Sequence, residues 1–315
     1  MSELGPTSYL LVPLSWLYAL GWEAYELIYR LGIKKPKEPH RPVVCVGNLQ
    51  VGGTGKSPFV LYIAGLLKEM GKEVVIGASG YGSPMAEAAQ FAPEGELNPR
   101  IWGDEPAMIR SRLPEVPLIV GRRRVLAAEL CHSRHPNAVL LMDDGFQHLP
   151  LKKHLSIVLD PPSPNRFCIP AGPYREPGSG LNRADLVIPG QFTLVRSALT
   201  FRSADCHSIA AGTTEVSVLC ALGRPQSFLS SLKDAGLTLG TTKLLRDHDS
   251  LDAGTLLDGF PPEKPIVVTT KDWVKLRLRT DLEGREIWIA HQTVSVEPEQ
   301  EFKAWLKQRL DEIEA

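Results

Sequence analysis

The chain has 315 residues, 43% of them hydrophobic, and a formal net charge of −1. That length allows one large or two ordinary domains, and the composition is globular rather than disordered or fibrous. The near-zero charge argues against a general nucleic-acid binder, and the five scattered cysteines form no Cys-x-x-Cys pair, so they read as reduced cytosolic thiols.

From Leu4 to Trp22 no residue is charged, and Trp16, Tyr18, Trp22, Tyr25 and Tyr29 crowd the region. A spanning helix needs about 20 apolar residues. Here Pro6 and Pro13 interrupt the stretch, and it runs into Glu23 and Glu26. An amphipathic helix lying in a membrane interface fits better, with aromatic rings at headgroup depth. Arg30, Lys34, Lys35 and Lys37 follow, which suits anionic lipid on a cytoplasmic face. The alternative is a helix packed on its own domain.

Val43-Val44-Cys45-Val46-Gly47-Asn48 reads as a buried strand. Leu49 to Gly55 is a glycine-rich loop, and Lys56-Ser57-Pro58 opens a segment with helical apolar spacing up to Met70. This is the layout of a phosphate-binding P-loop. Gly52, Gly53 and Gly55 let backbone N–H groups turn toward phosphate oxygens, Lys56 reaches the terminal phosphates, and the Ser57 hydroxyl suits a Mg²⁺ shell. One position departs from the usual pattern: Gln50 stands where a glycine is expected.

Beyond the P-loop, strands and helices alternate. Strands are predicted at 73–78, 117–121, 138–142, 155–159 and 185–188, with helices at 104–113 and 122–134. Such alternation means a parallel sheet covered on both faces, with ligand beyond the carboxyl ends of the strands. The strand ending in Asp143-Asp144 has the Walker B form, in which a carboxylate serves Mg²⁺. Residues 192–201 suggest a β-ribbon. A second α/β pattern then follows, with strands at 214–221, 265–270 and 286–290 and helices at 226–235, 273–279 and from 297. The expected organisation is a helical membrane-associated segment at 1–40, a P-loop core at 41–205 and a smaller C-terminal α/β domain at 206–315.

Several runs together resemble the tetraacyldisaccharide 4'-kinase family. They are Gly47-Asn48-Leu49 with Val51-Gly52-Gly53-Thr54-Gly55-Lys56-Ser57-Pro58, then Gly103-Asp104-Glu105-Pro106, then Asp143-Asp144-Gly145-Phe146-Gln147-His148 and Pro170-Ala171-Gly172-Pro173-Tyr174-Arg175-Glu176-Pro177. Asp247-His248 and Thr269-Thr270 before Lys271-Asp272 extend the likeness into the second domain. The resemblance implies ATP- and Mg²⁺-dependent phosphorylation of the 4'-hydroxyl of an acylated glucosamine disaccharide 1-phosphate. The place would be the cytoplasmic face of a Gram-negative inner membrane, with no nucleic acid and no obligate protein partner.

The same resemblance implies roles. Asp104 is the expected base, paired with His248, and Glu105 supports metal or geometry. Asn48, Gly52, Gly53, Thr54, Gly55, Lys56 and Ser57 would hold the nucleotide. Ser57, Asp143, Asp144 and Glu105 would serve Mg²⁺, while Arg175, Gln147 and His148 would face the substrate. Two positions depart from the family pattern: Ser79 replaces an arginine before Gly80-Tyr81, and Arg123 replaces an acidic residue before Arg124, giving Arg122-Arg123-Arg124. That arginine run reads as a solvated helix start or a contact for the substrate 1-phosphate. A second class of function is a P-loop switch ATPase or GTPase that controls a membrane-associated assembly. Val51 stands where the switch ATPases carry a signature lysine, and Thr270-Lys271-Asp272 lacks the spacer of a guanine motif.

Overall fold

The computed structural model describes residues 6–205, 207–210 and 212–314. Leu4, at the start of the uncharged stretch, and Cys206 lie outside the described residues. Helix α1 (Pro6–Arg30) carries Pro13 inside it. The central strands of the first sheet are apolar runs buried along their whole length, as expected where helices cover both faces. In chain order come β1 (Val43–Asn48), α2 (Lys56–Glu69), β2 (Val74–Ala78), β3 (Gln90–Phe91), α3 (Pro99–Trp102) and α4 (Asp104–Arg112). Then follow β4 (Leu118–Val120), α5 (Arg124–Arg134), β5 (Val139–Asp143), β6 (Leu155–Leu159) and β7 (Leu186–Ile188).

The strand order is β3-β4-β2-β5-β1-β6-β7, with only β3 antiparallel. The P-loop strand β1 therefore lies beside β5, and the register pairs Val46 with Asp143. Both strands end at the same edge, which brings the loop after Asn48 next to Asp143-Asp144.

The second sheet comes from β9 (Thr200–Ser203), β10 (Ser208–Ile209), β11 (Glu215–Cys220), β12 (Thr238–Leu244), β13 (Ile266–Thr269) and β14 (Ile287–His291). Its order is β10-β9-β14-β13-β11-β12. Helices α6 (Pro225–Asp234) and α7 (Thr270–Leu276) belong to it. The ribbon differs from the expectation. Strand β8 (Thr193–Arg196) does not pair with β9. It pairs with β15 (Val294–Glu297), which is far away in sequence, and β9 pairs with β14 in the second sheet. The chain thus crosses to the second sheet and back on two adjacent antiparallel strands.

The last helix, α8 (Glu299–Glu314), also differs from the expected C-terminal unit. Its apolar face, Phe302, Leu306 and Leu310, is buried in the core of the first sheet. The Phe302 ring lies 6.3 Å from Phe59 and 6.2 Å from Tyr62, both on the P-loop helix α2, and 5.3 Å from Phe192. Sequence periodicity finds such a helix but not the partner it covers.

This packing makes a prediction. Phe302→Ala opens a cavity against α2 and should cost about 3–5 kcal/mol of unfolding free energy, measured by urea titration. A loss below about 1 kcal/mol would mean that α8 is dispensable to the P-loop unit.

Candidate active site

The P-loop leaves β1 at Asn48 and turns through Gly52 and Gly55, whose φ values are 94° and 93°. A side chain is strained at such angles, so glycine there is a backbone requirement. Asn48 steadies the loop: its Nδ2 donates to Thr54 Oγ1 at 2.9 Å. Gln50, where a glycine was expected, is fully buried and acts as a strut. Its Nε2 donates to Asp160 Oδ1 at 3.0 Å and to the Pro161 carbonyl at 2.7 Å. Its Oε1 accepts from Arg224 of the second sheet's side at 3.0 Å. Lys56 and Ser57 open α2, whose first turn has no side-chain cap, so its N–H groups are available to an anion.

The two acids after β5 differ. Asp143 is 2% exposed, and its Oδ1 is buried with no hydrogen-bond partner among the described residues. Burial first, then the charges of Glu105 and Asp144, push its carboxyl up to about 7 against the pull of Lys56 and Arg124. Asp144 adopts φ 56° and turns to Arg175, whose Nη1 donates to its two oxygens at 3.0 and 2.8 Å. Lys56 Nζ lies 3.7 Å away. Burial alone would raise Asp144, but Lys56 and Arg175 hold it below the ordinary carboxylate range.

The arginine run splits. Arg122 and Arg123 are exposed, whereas Arg124 is buried. Its Nη2 donates to the Asp143 and Asp144 carbonyls at 2.5 and 2.9 Å, and Nη1 lies 3.4 Å from the Gly77 and Gly121 carbonyls. Arg124 is therefore neither solvated nor free for a substrate phosphate. It ties together the ends of β2, β4 and β5 beneath the acid pair.

Asp104 opens α4, with Gly103 rather than Asp104 at the N-cap position. His248 from the second sheet's side, at φ 61°, brings Nδ1 to 3.0 Å from Asp104 Oδ2. Lys271 and Lys275 of α7 place Nζ at 3.8 and 3.7 Å from the same oxygen. Burial would raise Asp104, yet the His248 hydrogen bond and the two lysines hold it down at about 2. The same hydrogen bond raises His248 above its ordinary value, against the effect of burial. Sequence reading missed both lysines; the only signal was the Thr269-Thr270-Lys271-Asp272 run, which was noted without a role.

Gln147 spends its amide within the protein, donating to the Asn48 carbonyl at 2.8 Å and to Glu176 Oε1 at 2.7 Å. His148 is half-buried and pushed down to about 4 by burial and then Lys153 and Arg124, so it is neutral at pH 7. Glu105 is half-buried beside the phosphate loop. Among the described residues, no three His, Cys, Asp or Glu side chains form a ready metal cage. A cavity of about 460 Å³ brings together some of these parts; Asp104, Asp143, Gln147 and His148 are not in its lining. The P-loop from Gly52 to Ser57, Asp144 and Arg175 line one side, and His248, Lys271 and Phe228 line the other.

A model of the tetraacyldisaccharide-1-P 4'-kinase family matches residues 7–311. The chain belongs to that family. It is 31% identical over 326 residues to tetraacyldisaccharide 4'-kinase of Shewanella baltica, covering 98% of this chain and 93% of that one. It is 34% identical over 281 residues to the enzyme of the same name from Pasteurella multocida, covering 85% of this chain and 86% of that one. Its fold is similar to the crystal structure of LpxK from Aquifex aeolicus in complex with ATP. That match has a TM-score of 0.80 and 27% identity, and it covers 96% of this chain and 99% of that one. Family membership sets aside the switch ATPase or GTPase.

The shifted pair fixes a pH window. Asp104, lowered when folded, contributes stability above its unfolded value of 3.8 that is lost as pH falls toward about 2. His248, raised when folded, contributes stability below 6.5 that is lost as pH rises through its folded value. The difference in melting temperature between wild type and His248→Ala should therefore be widest at about pH 4.5–6. A difference that grows steadily toward about pH 9 would contradict the ion pair.

Proposed function

We propose that the chain transfers the γ-phosphate of ATP to the 4'-hydroxyl of an acylated glucosamine disaccharide 1-phosphate. The reaction would take place at the cytoplasmic face of the inner membrane of a Gram-negative-type bacterium. The observation that carries this reading is a shared cavity: His248 and Lys271, which hold Asp104, line the same space as Lys56 and the P-loop. The His248–Lys271 pair that contacts Asp104 thus lines the same space as the phosphate loop, which supports reading Asp104 as the acid beside the donor site.

Each residue then has a physical task. The P-loop N–H groups and Lys56 offset phosphate charge. Asp104, ionised at neutral pH, accepts a hydrogen bond from the acceptor hydroxyl and orients it in line. A loose phosphoryl-transfer transition state demands little proton removal early, so a weakly basic carboxylate suffices to take the proton late. His248 holds the carboxylate in place through Nδ1. Arg175 and Lys56 engage Asp144, which leaves Asp143 as the acid free for a cation.

The donor set fits Mg²⁺. Asp143 presents a buried oxygen without a hydrogen-bond partner among the described residues, and the Ser57 hydroxyl belongs to the phosphate loop. Mg²⁺ takes few protein ligands and keeps waters and phosphate oxygens, so the lack of a full protein cage agrees with it. Bound there by Asp143 and Ser57, it would neutralise charge on the transferring phosphate.

Membrane contact is read from α1, which is inside-out. Ser15, Tyr18, Trp22 and Glu26 face the protein, while Leu10 is 81% exposed, Leu17 65% and Leu20 67%. Among the described residues, no helix is long and apolar enough to cross a membrane. An apolar outer face and a basic flank at 30–37 suit a helix lying in the interface. The acyl chains would then stay in the bilayer while the disaccharide reaches the cavity.

Two outcomes follow. With γ-labelled ATP and acylated disaccharide 1-phosphate in detergent, label should appear on the lipid, and Lys56→Ala should reduce transfer by at least about 100-fold. Near-normal transfer by folded Lys56→Ala would refute the P-loop role. Leu17→Glu with Leu20→Glu should cut sedimentation with anionic vesicles by about ten-fold or more. Unchanged sedimentation would refute the interfacial helix.

A further inference from the structure

The inward face of α1 carries polar groups, and three of them have hydrogen-bond partners in one segment. Ser15 Oγ donates to the Cys168 carbonyl at 2.7 Å, Tyr18 Oη to the Arg175 carbonyl at 2.6 Å and Trp22 Nε1 to Glu176 Oε2 at 2.8 Å. These positions fall three and four residues apart, so they share one helix face. All three grip the segment 168–176.

That segment leads to both halves of the phosphate site. Glu176 is fully buried, and Arg183 pairs with it. A Cβ on Gly180 would stand 2.4 Å from Glu176 Oε2, so the carboxylate has no room to move. Its other oxygen accepts from Gln147 Nε2 at 2.7 Å, and Gln147 also donates to the Asn48 carbonyl at 2.8 Å. Asn48 in turn holds Thr54 of the P-loop at 2.9 Å. A second route is shorter. Tyr18 fixes the Arg175 backbone, and the Arg175 guanidinium holds Asp144 beside Lys56.

We propose that Trp22 and Tyr18 are positioning residues for phosphoryl transfer, acting on the P-loop through Glu176, Gln147 and Asn48 and on Asp144 through Arg175. Helix α1 then does more than bring the protein to lipid: its seating sets the geometry of the phosphate site about two hydrogen-bonded side chains away. The inference rests on the kinase reading above and is separate from membrane docking.

The test uses full-length W22F and Y18F with γ-labelled ATP and acylated disaccharide 1-phosphate dispersed in detergent. Y18F keeps the ring and removes only the hydroxyl, whereas W22F removes the N–H donor together with part of the indole surface, so Y18F is the cleaner of the two. W22F should lower kcat by about ten-fold, the scale of a lost hydrogen bond to a buried charge. KM for ATP and for lipid should stay within about two-fold, as should sedimentation with anionic vesicles. Combining W22F with Gln147→Ala should be no worse than Gln147→Ala alone within about two-fold, because the two act in one chain. Should W22F fail to fold, Y18F, which lacks a single hydroxyl, carries the test through Arg175 with an expected fall in kcat of about five-fold.

Wild-type kcat in both variants overturns the proposal. So does a loss confined to lipid KM, which would make α1 a binding element only, and so do multiplicative losses for the W22F and Gln147→Ala pair. A wild-type protein that transfers no label would instead remove the kinase reading.

Discussion

Asp104 is a carboxylate only 8% exposed, and it stays ionised because the His248 hydrogen bond and the Lys271 and Lys275 ammonium groups, all from the other sheet's side, surround it. Burial without them would neutralise it. Asp247 and Asp272 also lie near these groups, with Lys271 Nζ 2.9 Å from Asp247 and Lys275 Nζ 3.9 Å from Asp272. The cluster is complete only when the second sheet's side sits over α4, where Arg277 also donates to the Leu97 carbonyl and Arg224 to Gln50. Removing the partners of a buried carboxylate leaves a charge that burial penalises.

A second constraint works from below. Arg124 is a buried guanidinium that donates to backbone carbonyls, two of them at Asp143 and Asp144. It fixes where the acid pair begins, so the pair can split its roles. Asp144 is held ionised by Lys56 and Arg175, whereas burial and the neighbouring charges of Glu105 and Asp144 lift Asp143 to about 7. Adjacent carboxylates driven apart by environment are a recurring way to give two acids two tasks.

Much of this was legible in the sequence because it is local or carried by family runs. The parallel sheet follows from apolar runs alternating with helical periods, and the P-loop and Asp143-Asp144 are contiguous motifs. Long-range pairing was not legible. The β8–β15 ribbon joins residues about 100 positions apart, and nothing in Thr193–Arg196 names its partner. Strand β12, Thr-Leu-Gly-Thr-Thr-Lys-Leu, escaped because an exposed edge strand lacks clear alternation. Arg124 looked like a surface charge because its partners are backbone carbonyls, which no side-chain pattern reveals. Gln50 looked like a flaw in the P-loop, yet its side chain serves as a strut between the loop and Arg224. The polar inner face of α1 was not legible either: Tyr18 and Trp22, expected at headgroup depth, turn inward to Arg175 and Glu176, far away in sequence.

The central claim is that Asp104 and His248 act as one unit across the two sheets. It is tested most directly by kcat for wild type, Asp104→Ala, His248→Ala and the double variant at saturating ATP and lipid. Asp104→Ala should lower kcat by about 100-fold or more, His248→Ala should lower it too, and the double variant should be little worse than the poorer single one. Losses that multiply, or a His248→Ala protein with wild-type kcat, would contradict the account.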